Sequence, residues 1–135
     1  MASAMVRGLL ARELYPAAQI GCTCGSDPTG PALAKQTGIT YAAEPAQLLA
    51  GADIVVLACK PQQLAALDAA YSMASQGKLL LSILAGTPLA KLSAKFPTAR
   101  NLVRAMPNTP GQIGAGITAW SARTTLSAGD RQTVE

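Results

Sequence analysis

The chain has 135 residues, half of them apolar and 13% charged, which suits one domain with a buried core and argues against disorder. Its net charge of +4 is scattered from Arg7 to Arg131 without a basic run, and its aromatics are one Phe, one Trp and three Tyr. The basic stripe and stacking platforms of a nucleic-acid partner are therefore missing, and the absence of histidine removes Ser-His-Asp triads, histidine general bases and histidine zinc sites.

In chain order, Met5, Val6, Leu9, Leu10 and Leu14 recur at helical spacing, so the chain opens in an amphipathic helix with no strand before it, followed by Pro16. Residues 19–24 are short and apolar enough for a strand, and Gly25, Ser26, Asp27 and Pro28 form a turn cluster. Residues 32–37 predict a short helix stopped by Gly38, residues 39–41 a brief strand, and Pro45 suits the first position of a helix through Leu49. Residues 54–58 are apolar at every position, as in strands covered on both faces. A helix is expected over residues 61–73, then a second continuous apolar strand over 79–84, broken by Ala85 and Gly86. Thr87 reads as an N-cap with Pro88 at the first helical position, the helix running to about Lys95. A strand follows over residues 102–105, a loop stiffened by two prolines over 106–110, and a last strand over 117–120. Ser127 with Asp130 three residues on resembles a capping box that opens a final helix. Strand and helix alternate throughout, which predicts an α/β fold with a parallel sheet and right-handed crossovers.

With few aromatics, the core must be built from Ala, Leu, Ile and Val. Cys22 and Cys24 alternate onto one face if their segment is a strand; they read as a metal or redox pair or, preferably, as small buried hydrophobes, because a zinc site normally takes four ligands. No metal is expected. Three cysteines without a disulfide pattern fit a reducing compartment. No apolar run approaches the roughly 18 residues of a membrane span, and residues 1–14 carry Arg7, Arg12 and Glu13 where a signal peptide would be apolar. A cytoplasmic protein with no membrane or nucleic-acid partner is expected.

Ligands of open α/β sheets bind beyond the carboxyl ends of the strands. Those ends fall at residues 24–27, 59–61, 84–86 and 104–110, and these four could line one crevice. Lys60 follows a wholly apolar strand and precedes a Pro that opens a helix; it is either a cation near a phosphate or ribose or a solvated loop lysine. Ala58, Ala85 and Gly86 are small enough for a ligand to approach the backbone, or simply for tight packing. Asn108 and Thr109, between two prolines, present polar groups to a substrate or a following domain, or Asn108 bonds its own backbone in a structural turn.

Ala58-Cys59-Lys60-Pro61-Gln62, Ser82-Ile83-Leu84-Ala85-Gly86, and Arg104-Ala105-Met106-Pro107-Asn108-Thr109-Pro110 with Gly114-Ala115-Gly116-Ile117-Thr118 stand in that order behind an opening Met1-Ala2-Ser3-Ala4-Met5 with Gly8-Leu9-Leu10. In this arrangement the chain resembles the N-terminal domain of pyrroline-5-carboxylate reductases over nearly its whole length. The resemblance implies a Rossmann-like, doubly wound sheet that binds NADPH, or NADH, and reduces a cyclic imine to proline, with the cofactor carrying the hydride chemistry. It places Cys24, Gly25 and Ser26 at the adenosine ribose or its phosphate, Ala58, Cys59, Lys60 and Pro61 at the ribose and nicotinamide side, and Ile83, Leu84 and Ala85 beside the nicotinamide. No residue is assigned a catalytic role.

The chain departs from that pattern in places. Ala43 stands before Glu44 where the family usually has Asn. The family opens with a strand and a Gly-x-Gly turn, and Met1 aligns just after those glycines, so residues 1–135 read as one incomplete dinucleotide-binding domain without the first strand, the pyrophosphate turn or the C-terminal dimerisation domain. Neighbouring strands would then present unpaired edges, and NADPH binding is expected to be at least about tenfold weaker than with the first strand restored. Three readings follow: a fragment of an imine reductase whose full-length form is a homo-oligomer, a non-catalytic remnant that binds dinucleotide weakly, or a related dehydrogenase with another small-molecule substrate. The Met-Pro-Asn-Thr-Pro stretch argues against the third. Neutral Cys24 and Ser26 with no nearby Arg leave NADP against NAD undecided from the residues; the resemblance favours NADPH.

Overall fold

Helix and strand alternate from the first residue to the last in the computed structural model, which describes residues 1–25 and 28–135. The backbone forms two compact units, residues 1–51 with 108–117, and residues 52–107 with 118–135.

In the first unit, α1 (Ala2–Ala11) carries the anticipated helical spacing but buries no residue. It ends where Glu13 adopts φ 55°, and Pro16 precedes a 3-10 turn, Ala17–Gln19. That turn takes the first residues of the expected strand, leaving β1 as Gly21–Cys22. Helix α2 (Thr29–Thr37) starts three residues earlier than predicted and ends at Gly38, whose φ of 76° is the left-handed cap conformation. It leads into β2 (Thr40–Tyr41), which lies parallel to β1. Helix α3 (Pro45–Ala50) begins with proline at its first position, as expected. Leu33, Ile39 and Leu49 are the unit's buried apolar residues, and Arg7 of α1 donates to Gln36 of α2 at 2.7 Å.

In the second unit, β3 (Ile54–Leu57), β4 (Leu79–Ser82) and β5 (Asn101–Pro107) run parallel, and β6 (Thr118–Ala122) closes the sheet antiparallel to β5, in the order β3-β4-β5-β6. The expectation of a parallel sheet therefore holds for the first three strands and is corrected for the last. A parallel return needs a crossover of a dozen or more residues, whereas ten residues separate Pro107 from Thr118 and end on the same side of the sheet. β5 is also longer than predicted: Met106 and Pro107 pair with Ala119 and Thr118, so the rigid loop starts at Asn108. Proline is tolerated there as the terminal residue of a strand.

The core joins Leu57, Leu64, Leu80, Leu84, Leu92, Phe96, Ala99 and Leu102. Leu57, Leu80 and Leu102 come one each from β3, β4 and β5, Leu64, Leu84 and Ala99 from the connections between elements, and Leu92 and Phe96 from α5 (Leu89–Lys95) and its end. Full cover of the strand at residues 54–58 is not found. Leu57 is buried and Val55 packs on the core, but Val56 is 43% exposed, because β3 is the edge strand and its alternate side chains face away from the helical layer. The helix expected over residues 61–73 is split: a 3-10 turn at Pro61–Gln63 stops, and α4 (Ala69–Ala74) begins anew where the Asp68 carboxylate accepts from the Ala70 amide at 2.9 Å. Thr87 does not cap α5; it is buried, its hydroxyl donates to the Ala85 carbonyl, and Pro88 takes the cap position in extended conformation. Ser127 does cap α6 (Ala128–Val134) by accepting from the Asp130 amide at 3.1 Å. The reciprocal half of that box is absent, since the Asp130 carboxylate is bound by Arg100.

Candidate functional site

Register fixes the best-defined cluster. Leu57 and Ser82 are partners at the carboxyl ends of β3 and β4, and the Ile83 amide donates to the Leu57 carbonyl at 3.1 Å. Two stretches singled out from sequence, residues 58–61 and 83–85, therefore emerge side by side. The first is pinned by Gln63. Its Oε1 accepts from the Lys60 amide at 2.8 Å, and its own amide donates to the Lys60 carbonyl at 2.9 Å, so the turn closes on backbone groups and leaves the lysine ammonium exposed. The second is fixed by the Ser82 hydroxyl, which accepts from the Leu84 amide at 3.3 Å.

Within these stretches Ala58, Lys60, Pro61 and Ala85 are exposed, and Ile83 is half-buried. Leu84 is 2% exposed and belongs to the core, and the Cys59 side chain packs against that core. These two residues can offer a ligand their backbone only. Gly86, at φ 66°, turns the chain toward α5 without a side chain in the way.

The remaining candidates lie in the first unit. Cys24 and Gly25 follow β1; Ser26 lies outside the described residues, as does Asp27 of the turn cluster. The Cys24 thiol donates to the Tyr41 hydroxyl at 4.0 Å and the Cys22 thiol to the Gly30 carbonyl at 3.7 Å. A Cβ on Gly30 would come within 2.6 Å of the Cys24 sulfur, so glycine is what lets α2 start against β1. Burial, and then the neighbouring Cys24, push the Cys22 thiol up from its usual value; burial does the same to Cys59. The hydrogen bond with Cys24, followed by burial, raises Tyr41. Protonated thiols are poor nucleophiles and poor metal ligands, and no group of three metal-binding side chains occurs among the described residues.

Asn108 and Thr109 are exposed, at the start of a 3-10 segment, Thr109–Ile113. Asn108 Oδ1 accepts from the Ile117 amide at 2.9 Å, closing the loop over a close approach: a Cβ on Gly116 would meet the Gly111 backbone at 2.6 Å. One side of the Asn108 amide is therefore spent on holding the loop. Gln63 and Ser121 carry no motif that marks them in the sequence; Arg104 does, as a cation inside the otherwise apolar run Leu102, Val103 and Ala105, three residues that the fold buries.

A parallel-dominated α/β sheet with small residues and a cation beyond adjacent strand ends defines a Rossmann-like protein. The family model for NADP oxidoreductases, coenzyme F420-dependent, matches residues 1–86, well over half of the chain, and the chain belongs to that family. The curated relatives it resembles are pyrroline-5-carboxylate reductases. It is 38% identical to that of Vibrio alginolyticus over 118 residues, 87% of this chain and 43% of that protein. It is 39% identical to that of Pseudomonas aeruginosa over 132 residues, 95% of this chain and 47% of that protein. A solved pyrroline-5-carboxylate reductase from Coxiella burnetii matches its fold with a TM-score of 0.90 at 28% identity, covering 99% of this chain and 50% of that one. The resemblance carried by the motif stretches is thereby borne out, and the chain spans about half the length of the relatives it matches.

Proposed function

We propose that this chain is the dinucleotide-binding part of an enzyme that reduces 1-pyrroline-5-carboxylate to L-proline with NADPH, and that residues 1–135 act together as that part. The observation that carries the reading is the adjacency of residues 58–61 and 83–85 at the ends of neighbouring parallel strands, where α/β folds bind nucleotides. The residues fit the cofactor. Exposed Ala58 and Ala85 and the bare turn at Gly86 let a flat ring lie on the backbone, Lys60 offers a positive charge to ribose or phosphate oxygens, and Gln63 holds the Lys60 backbone in place. Bound NADPH supplies the hydride, and the chain's own part is to bind and orient. Cys24, Gly25 and Ser26 are proposed for the adenosine end, and Asn108 and Thr109 for contact with the substrate side. The family description, an NADP oxidoreductase, supports NADPH over NADH. The full enzyme is proposed to be a cytoplasmic homo-oligomer; no helix among the described residues is long and apolar enough to cross a membrane.

Titration with NADPH, followed through the fluorescence of Trp120, tests the reading. Saturable binding is expected, weakened by about tenfold or more in Lys60→Glu, with the far-ultraviolet dichroism of that variant unchanged. Absence of saturation into the millimolar range, or equal binding by Lys60→Glu, would end it. Consumption of NADPH on addition of 1-pyrroline-5-carboxylate to the full-length enzyme separates catalysis from mere binding.

A further inference from the structure

The second unit contains four arginines, and three have acceptors. Arg100 donates to both carboxylate oxygens of Asp130 and to the Gly77 carbonyl. Arg123 donates to the Ala99 and Arg100 carbonyls, and Arg131 pairs with Glu135 at 2.9 Å. Arg104 differs: its Nε is sealed from solvent and has no hydrogen-bond partner among the described residues. Buried donors, charged ones above all, normally find an acceptor, and the exceptions call for one that comes from elsewhere.

The surroundings say what that acceptor is. Arg104 lies in the middle of β5, level with Ser82 on β4 and Ser121 on β6, so the three side chains leave the same face of the sheet. Ser82 is fully buried and engaged with the Leu84 amide, whereas Ser121 is exposed. Arg104 and Ser121 line a shallow pocket of about 450 Å³ with Gly86, Pro88 and Leu89. The pocket thus has one cation, one hydroxyl donor, an apolar wall and, at Gly86, an entrance with no side chain.

We propose that Arg104 and Ser121 form a binding site for a single carboxylate. A guanidinium presents parallel N–H donors that match the two oxygens of a carboxylate, and one positive charge balances one negative charge. A phosphate would bring a second charge that no other cation lining the pocket compensates. The apolar wall of Pro88 and Leu89 accommodates the carbon skeleton behind the acid group. The carboxylate belongs either to a free small acid or to an Asp or Glu side chain of a polypeptide. This proposal does not depend on the NADPH reading, since it uses none of the residues assigned to the cofactor.

The test is a titration of the full chain followed by the ¹H–¹⁵N resonance of the Arg104 Nε–H, assigned by its loss in Arg104→Met. One arm uses sodium acetate, a second a short blocked peptide with a central Glu, and a third sodium sulfate. Saturable, protecting shifts with acetate or peptide, and none with sulfate at matched ionic strength, are expected. Acetate binding as tight as peptide identifies a free acid as the source; peptide binding about tenfold tighter identifies a protein side chain. Ser121→Ala and Arg104→Lys should each weaken binding about fivefold or more, and they carry the test if Arg104→Met does not fold. Equal shifts with sulfate, no shift with either carboxylate, or undiminished binding by both Ser121→Ala and Arg104→Lys would overturn the proposal.

Discussion

Asp130 illustrates what a single side chain decides. Its carboxyl is held below the ordinary carboxylate range, first by the hydrogen bonds from Arg100 and then by its charge, against the opposing effect of burial; the same hydrogen bond raises the Arg100 guanidinium. The folded state therefore takes up the Asp130 proton less readily than the unfolded state. The stability this provides is fully present above the unfolded value of about 3.9 and is lost as pH falls through the lower folded value. Arg100 is 44% exposed, so the contribution is modest. Asp130→Asn is expected to lower stability by about 1 kcal/mol near neutral pH, and urea denaturation should show that difference closing as the solution is taken below the carboxylate range. A difference that persists there would mean the loss comes from packing and not from charge. The Ser127–Asp130 spacing was legible as a helix start because capping is local. Asp130's true partner was not, because Arg100 lies thirty residues away.

At the scale of the element, hydrophobic runs announced strands well. β3 and β4 fall within the continuous apolar runs that predicted them, and β5 contains its predicted residues 102–105 but extends to both sides of them, because β-branched and leucine side chains pack well on a pleated surface. Element ends were less readable. Residues 61–73 have the composition of one helix, yet the chain divides them, since Gln63 turns back on Lys60 and Asp68 offers the next helix a better start. Asp68→Ala removes the side-chain N-cap of α4 and should cost about 1 kcal/mol in thermal or urea unfolding. A change under a few tenths would show that α4 is held by packing alone. The same competition moved the start of α5 by one residue: Thr87 spends its hydroxyl on the Ala85 carbonyl, leaving Pro88 to open the helix with no side-chain cap.

For the molecule as a whole, burial is unevenly distributed between the two units. Leu79, Leu80, Leu92, Leu102 and Val103 are fully buried in the second, whereas α1 in the first buries none of its residues. Amide hydrogen exchange should therefore show the strongest protection along β4 and β5 and fast exchange along α1; comparable protection in α1 would contradict this ranking.

By itself, the order of residue types determined the alternation of helix and strand, the Rossmann-like class, the family resemblance and the stretches around Lys60 and Asn108. These rest on local periodicity, turn chemistry and motif spacing, which a linear string carries in full. Only the tertiary structure decided that β6 runs antiparallel, that β3 is covered on one face, that Leu84 and Cys59 turn into the core, and that Arg104 alone among the second unit's arginines lacks an acceptor for a sealed donor. Each of those outcomes depends on which distant segments meet, and the free energy of burying or pairing a group belongs to that meeting and not to the residue.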